Sequence, residues 1–208
     1  MMDAAELLDI IRRRRSVRHF VDRPVPEELL RQILEAGRWA PSGANMQPRR
    51  FLVVTRKELL SSIASFSHYG PIRSGHVADA AALVLLLGDS KSISPTVALD
   101  CAIAGTNMTL MATALDIGSC WIGAFEEENI RRLLAIPERY DIVAMIALGC
   151  VEGDLPKAPP RLDLEDIVHY ETFSKASEPS VLKKVRKAGP LSIFGKIFAQ
   201  VCSRKRKG

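Results

Sequence analysis

Cysteine is scarce in this chain. The 208 residues hold four, Cys101, Cys120, Cys150 and Cys202, far apart and three of them inside apolar stretches. No CxxC pair occurs, so neither a cysteine zinc site nor a dithiol redox pair is indicated, and buried, reduced thiols are expected. No GxGxxG follows a strand pattern, which argues against a Rossmann nicotinamide site. No apolar run approaches the roughly 20 residues of a membrane-spanning helix. The longest, Ala80 to Gly88, suits a buried strand and the residues leading into it. The first fifteen residues mix acids and arginines around a short apolar stripe, unlike the unbroken apolar core of a secretory signal. A cytoplasmic location is the expectation.

A net positive charge is also lacking over most of the chain, despite the overall +5. Residues 174–208 carry ten Lys/Arg against the single acid Glu178, which leaves the preceding 173 residues at −4. A nucleic-acid-binding globule should carry its basic patch on the folded body, so no nucleic-acid partner is expected. The length and the 47% hydrophobic content suit one folded domain over 1–173 and a basic tail over 174–208. In the tail, Leu191, Phe194, Ile197, Phe198, Val201 and Cys202 share one helical face ahead of Arg204-Lys205-Arg206-Lys207. That pattern suits a clasp on a second subunit, a disordered basic end, or a helix touching an anionic membrane.

Periodicity supplies the elements. Asp3 and Glu6 form a capping box ahead of the stripe Leu7, Leu8, Ile10 and Ile11, predicting a helix from Ala4 to Arg14. Pro26 suits the first position of a second helix that Leu29, Leu30, Ile33 and Leu34 continue to Arg38. Strands are predicted at 51–55, 83–87, 120–123 and 142–150, and helices at 57–65 and 126–134, with a short helix at 164–170. Residues 66–76 read as a loop. The longest helical pattern, Thr96 to Ile117, is apolar on most faces and belongs at a core or a subunit interface, with Gly118 as its stop. Helices and strands mix without a βαβ rhythm, which predicts an α+β fold.

Four stretches carry candidate chemistry. Arg14, Arg15, Ser16 and Arg18 pack guanidiniums and a hydroxyl into one turn that can grip a phosphate; on charge alone they equally suit a solvated helix end. Pro41-Ser42-Gly43-Ala44-Asn45 through Pro48 brings small and amide residues that allow close approach to a flat ring, or make an ordinary turn. Gly118 to Phe125, SCWIG at its centre, can expose backbone N–H groups at a strand end. Lys157-Ala158-Pro159-Pro160-Arg161 adds a late basic residue in a proline-rich linker. His19, His68, His76 and His169 are scattered and read as structural or surface residues, except that a loop at His68 and Tyr69 could cover a ligand. No metal-ligand cluster and no nucleophile triad is apparent, so no catalytic side chain is assigned.

In this order the four stretches resemble the nitroreductase family of FMN-dependent oxidoreductases. The resemblance spans about Leu7 to Tyr170 and rests on RRSVRHF, APSGANMQP, DCAIAGTNMTLMATALDIGSCWIGAF and PRLDLEDIVHY. It implies a nitroreductase-like mixed, mainly antiparallel sheet flanked by helices, a long central helix and an intertwined homodimer with flavin sites at the interface. It implies that Arg14, Arg15 and Ser16 hold the FMN phosphate and ribityl region, and that Arg18 lies near the N1/O2 edge of the ring. It further implies that Pro41, Ser42, Gly43 and Asn45 reach the flavin from the partner subunit, that the Ile122 and Gly123 backbone faces N5, and that Arg161 returns to the phosphate.

The implied activity passes electrons from NADH or NADPH through flavin N5 to a nitroaromatic, quinone or similar small acceptor, in ping-pong order. A specialised flavin enzyme with another natural substrate, or a flavin-binding protein without turnover, are the alternatives. This chain departs from the family pattern at Gly43, where many relatives have Ser, at Arg49, where many have an aromatic, and at Pro160, where many have Lys. It offers no recognisable mid-chain flavin contact in 65–80, and lacks the helical insertion that shapes substrate pockets in larger members.

Overall fold

The computed structural model describes residues 3–173. Its first helix, α1 (Ala4–Arg13), opens on the expected capping box: the Asp3 carboxylate accepts from the Ala5 N–H at 3.1 Å, and Glu6 accepts from the Asp3 N–H at 2.8 Å. Helix α2 (Glu27–Arg38) follows, with Pro26 as its cap rather than its first residue. Strand β1 (Arg49–Val54) and helix α3 (Lys57–Phe66) come next. The stretch expected to be a plain loop holds a small hairpin, β2 (His68–Tyr69) and β3 (Ile72–Arg73), then a 3₁₀ turn, Gly75–Val77. Two-residue strands carry no readable alternation, so local composition alone misses them.

The rest of the body is β4 (Ala82–Asp89), α4 (Val97–Ala114), β5 (Ile117–Ile122), α5 (Glu127–Leu133) and β6 (Tyr140–Cys150). Helix α4 stops four residues before Gly118, which lies inside β5. The stop is made by Asp116, whose φ of 54° turns the chain through the left-handed region. The expected helix at 164–170 is reduced to a 3₁₀ turn, Leu164–Asp166.

The four main strands run in the order β1-β4-β6-β5, every neighbour antiparallel. Helices cover both faces. Along β4, Leu83, Leu85 and Leu87 point into a core shared with Leu60, Ile63 and Ile130 of α3 and α5. Its alternate residues Ala82, Val84 and Leu86 point into a second core with Ile33, Cys101 and Met108 of α2 and α4. A strand buried on both faces reads as a continuous apolar run, which is why 80–88 stood out in the sequence.

Helix α4 is the one described helix long and apolar enough to cross a membrane by length and composition. It packs instead on α2 and on all four main strands. Yet Leu99 remains 57% exposed on it, so one apolar flank is left uncovered within a single chain. Among the described residues, those through Lys157 form one compact unit and 158–173 belong to a second. The tail readings for 174–208 lie outside the described residues.

Candidate functional site

The strip after α1 is seated on the free edge of β5. Ser16 bridges Ser119 in parallel, and the Val17 N–H donates to the Ser119 carbonyl at 2.9 Å. Further on, the Val21 N–H donates to the Cys150 carbonyl at 3.1 Å. Two glycines make room for the strip. A Cβ on Gly118 would lie 3.1 Å from a Val17 methyl, and one on Gly149 only 2.6 Å from the Phe20 ring. Val17 is buried, so its neighbour Arg18 points outward from the edge.

This seating brings the first and third motifs together. Ser16 sits at Ser119, and Gly123 lies four residues further along the same edge, about 13 Å at ~3.3 Å per residue. Ile122 buries its side chain in the α3/α5 core, leaving its backbone to the edge. A Cβ built on Gly123 meets nothing within 4 Å, so the chain there borders open space.

The Arg14 and Arg18 guanidiniums have no hydrogen-bond or ion-pair partner among the described residues. Both lie near enough to Cys120 to pull its thiol down against the larger upward push of burial. Arg15 is differently placed. Its guanidinium donates to the carbonyls of Pro156, Arg12 and Arg14 at 3.0, 2.5 and 2.9 Å, which ties the strip to the segment after β6.

The hairpin and turn of 67–77 close on the far end of this edge. The Glu126 N–H donates to the Phe66 carbonyl at 2.8 Å, and His68 Nε2 meets Glu126 Oε1 at 2.6 Å. His68 first, then Asn129, hold the Glu126 carboxyl below its ordinary range. His76 comes close enough to Arg18 and His19 to feel both charges.

The second motif lies elsewhere in the same chain. Its loop enters β1, the opposite edge of the sheet. Arg49 is level with Gly88 and Asp141, whereas Ser119 is level with Leu148. Seven residues of β6 separate Asp141 from Leu148, about 23 Å along the strands, and three strand spacings add about 14 Å across. Gly43 and Ser16 therefore occupy diagonally opposite corners.

Two residues that the motif reading passed over hold this loop. Arg49 is buried, and its guanidinium donates to the carbonyls of Arg38 at 3.0 Å, Pro41 at 3.4 Å and Ala40. Asp100, buried in α4, accepts from the Gly43 N–H at 3.3 Å and the Thr96 hydroxyl at 3.4 Å. The signal for Asp100 was its charge within an otherwise apolar helix. Between these anchors Ser42 Oγ accepts from the Gln47 N–H at 3.0 Å, and Ala44, Asn45 and Gln47 all take positive φ. Pro41, Gly43 and Asn45 are exposed.

Arg161 belongs to the second compact unit, exposed, with its guanidinium against the Pro159 and Pro160 carbonyls. A concavity of about 750 Å³ lies between α1, α2 and α4, lined by Leu7, Ile10, Trp39, Leu110 and Met111, none of them a candidate site residue. No cluster of potential metal ligands occurs among the described residues.

A basic strip seated on the free edge of an antiparallel sheet, with an open glycine further along that edge, characterises this α+β fold. Comparison with known proteins makes the class specific. The Nitroreductase family profile matches residues 11–150, and the chain belongs to that family. It is 37% identical over 150 residues to a protein of Methanothermobacter thermautotrophicus provisionally named NADH dehydrogenase/NAD(P)H nitroreductase, covering 69% of this chain and 76% of that one. It is 27% identical over 191 residues to an FMN reductase [NAD(P)H] of Bacillus subtilis, covering 83% and 76%. Among solved structures, an FMN-dependent nitroreductase from Clostridium difficile superposes with a TM-score of 0.72 at 26% identity, covering 80% of this chain and 99% of that one.

Proposed function

We propose that the protein is an FMN-dependent oxidoreductase that takes electrons from NADH or NADPH and passes them to a nitroaromatic, quinone or similar small acceptor, and that it works as a homodimer. The observation that carries this reading is the seating of the Ser16 strip on the β5 edge, which lines up two unpartnered arginines with an open glycine. The donor set fits FMN. Arg14 and Ser16 offer charge and a hydroxyl to a phosphate dianion. Arg18 offers permanent positive charge to the ring edge that becomes negative, and the Gly123 backbone leaves room for a flat ring. When bound, the flavin would supply hydride chemistry at N5. The chain's part is to hold it, orient it and balance its charge, so no nucleophile or metal is required.

The same geometry supports the dimer part of the reading. Pro41, Ser42, Gly43 and Asn45 stand at the far corner of their own sheet, yet they form a fixed, exposed loop held by Arg49 and Asp100. A second copy packed on the apolar flank of α4 offers a way to bring that loop to the flavin of the first.

Visible spectroscopy of the purified protein, with FMN added if it is colourless, tests the reading. Anaerobic NADH or NADPH should bleach the flavin band, and a nitroarene or quinone should restore it. Absence of flavin binding would overturn the proposal. A bound flavin that neither nicotinamide reduces would overturn the reductase part of it.

A further inference from the structure

Among the described residues, His76 Nε2 is the one buried side-chain nitrogen or oxygen without a hydrogen-bond partner. Such atoms are rare in folded proteins and call for an explanation. Its location offers one. His76 sits in the Gly75–Val77 turn, and Arg18, the cation expected at the ring edge, lies near it on one side and near Cys120 of β5 on the other.

The turn itself is held in place. The Ser74 N–H donates to the Ser67 carbonyl at 2.8 Å, and the Val77 N–H to the Ser74 carbonyl at 3.1 Å. Buried Val77 packs into the same core as Leu60 and Ile63 of α3. The imidazole is thus carried on a fixed backbone.

Resting on the FMN reading above, we propose that His76 Nε2 is the proton-holding group of the cofactor site. It is neutral beside oxidised flavin, takes one proton when the flavin is reduced, and gives that proton to the acceptor.

The electrostatics of its surroundings suit this role. Burial first, Arg18 second and His19 last hold the imidazole below its ordinary value, and Asp79 alone works the other way. Helix α3, packed against the same turn, adds no charge acting on it. These surroundings favour the neutral form of the resting imidazole. A negative charge placed beside it raises its proton affinity, since an opposite charge within reach favours the charged form.

Neither of its neighbours can substitute. Arginine stays protonated and has no proton to trade. His68 is already committed to Glu126 at 2.6 Å.

The step balances. NADH gives hydride, two electrons and one hydrogen, leaving NAD⁺ and a flavin with one added negative charge, while Nε2 binds one H⁺ from solvent. In the second half the acceptor receives the hydrogen and both electrons from the flavin and the proton from Nε2. It leaves two hydrogens richer, and the imidazole is neutral again.

The test counts protons. FMN-loaded protein in weak buffer near pH 7.5, with an indicator dye, is mixed anaerobically with one equivalent of NADH, and flavin bleaching and dye colour are followed together. Wild type should take up about one proton per flavin bleached. His76→Gln should bind and bleach flavin but take up none. His76→Lys, already charged, should also take up none, and it decides the matter if the glutamine variant fails to fold. Equal uptake by wild type and a folded variant, or no uptake by wild type, overturns the proposal while leaving the flavin reading intact. Absence of flavin binding in wild type overturns both.

Discussion

Arg49 is a buried cation held by carbonyls alone, at the end of α2 and in the loop that follows. Losing it would leave three acceptors without their donor. Arg49→Met is expected to lower unfolding free energy by about 1–3 kcal/mol, read from the midpoint of urea denaturation at unchanged slope. An unchanged midpoint would mean that water replaces the guanidinium and that it holds nothing. At this scale the sequence was only partly legible. Arg14, Ser16, Arg18 and Gly123 were singled out from their local chemistry and the family resemblance, and the fold brings them to one edge. Arg49 was noted only as a departure from the family pattern, His76 only as a structural or surface residue and Asp100 not at all, because their importance comes from burial, and burial depends on partners far away in the chain. Arg15 shows the converse: its charge suggested an anion, while its guanidinium spans three carbonyls of its own chain.

Among the elements, the contact of the Ser16 strip with β5 and β6 is the one on which the proposed flavin site depends. Gly149→Ala tests it. The added methyl would press on Phe20 at 2.6–2.9 Å, and overpacking of this kind costs about 1–3 kcal/mol. Because Phe20 belongs to the strip, FMN affinity should fall more steeply than stability, as measured by fluorescence titration beside thermal unfolding. A loss confined to stability would separate the strip from flavin binding. Elements with a strong period were readable: α1, α2, α3 and β4 lie within two residues of expectation. The end of α4 was misjudged because Gly118 looks like a stop, whereas Asp116 adopts the left-handed turn.

For the whole molecule, the diagonal separation of the two motifs means that, on the reading proposed above, one chain alone supplies only part of the flavin site. Leu110, which lines the apolar concavity between α1, α2 and α4, is the place to test this. Leu110→Arg should halve the mass seen by light scattering and weaken FMN retention at least tenfold, since the Ser42–Asn45 loop would be lost from the partner's site. A monomer that keeps its flavin would sink the composite site. The resemblance implied this arrangement, and the exposure of Leu99 on α4 is compatible with it. No periodicity in the sequence could reveal it, because an apolar helix reads the same whether a core or a second copy covers it.

The Ser16–Ser119 bridge also sets the order in which the molecule can be built. Its partners are 103 residues apart, so joining them costs about 3 kcal/mol more in chain entropy than closing a short hairpin such as β2–β3. During synthesis the arginine strip leaves the ribosome early, yet it has nowhere to dock until β5 emerges about a hundred residues later. At ~5–20 residues per second that wait is roughly 5–20 s. The first motif to be made is thus among the last to be seated, and a nascent chain cannot hold the arginine strip on its sheet until most of its body exists.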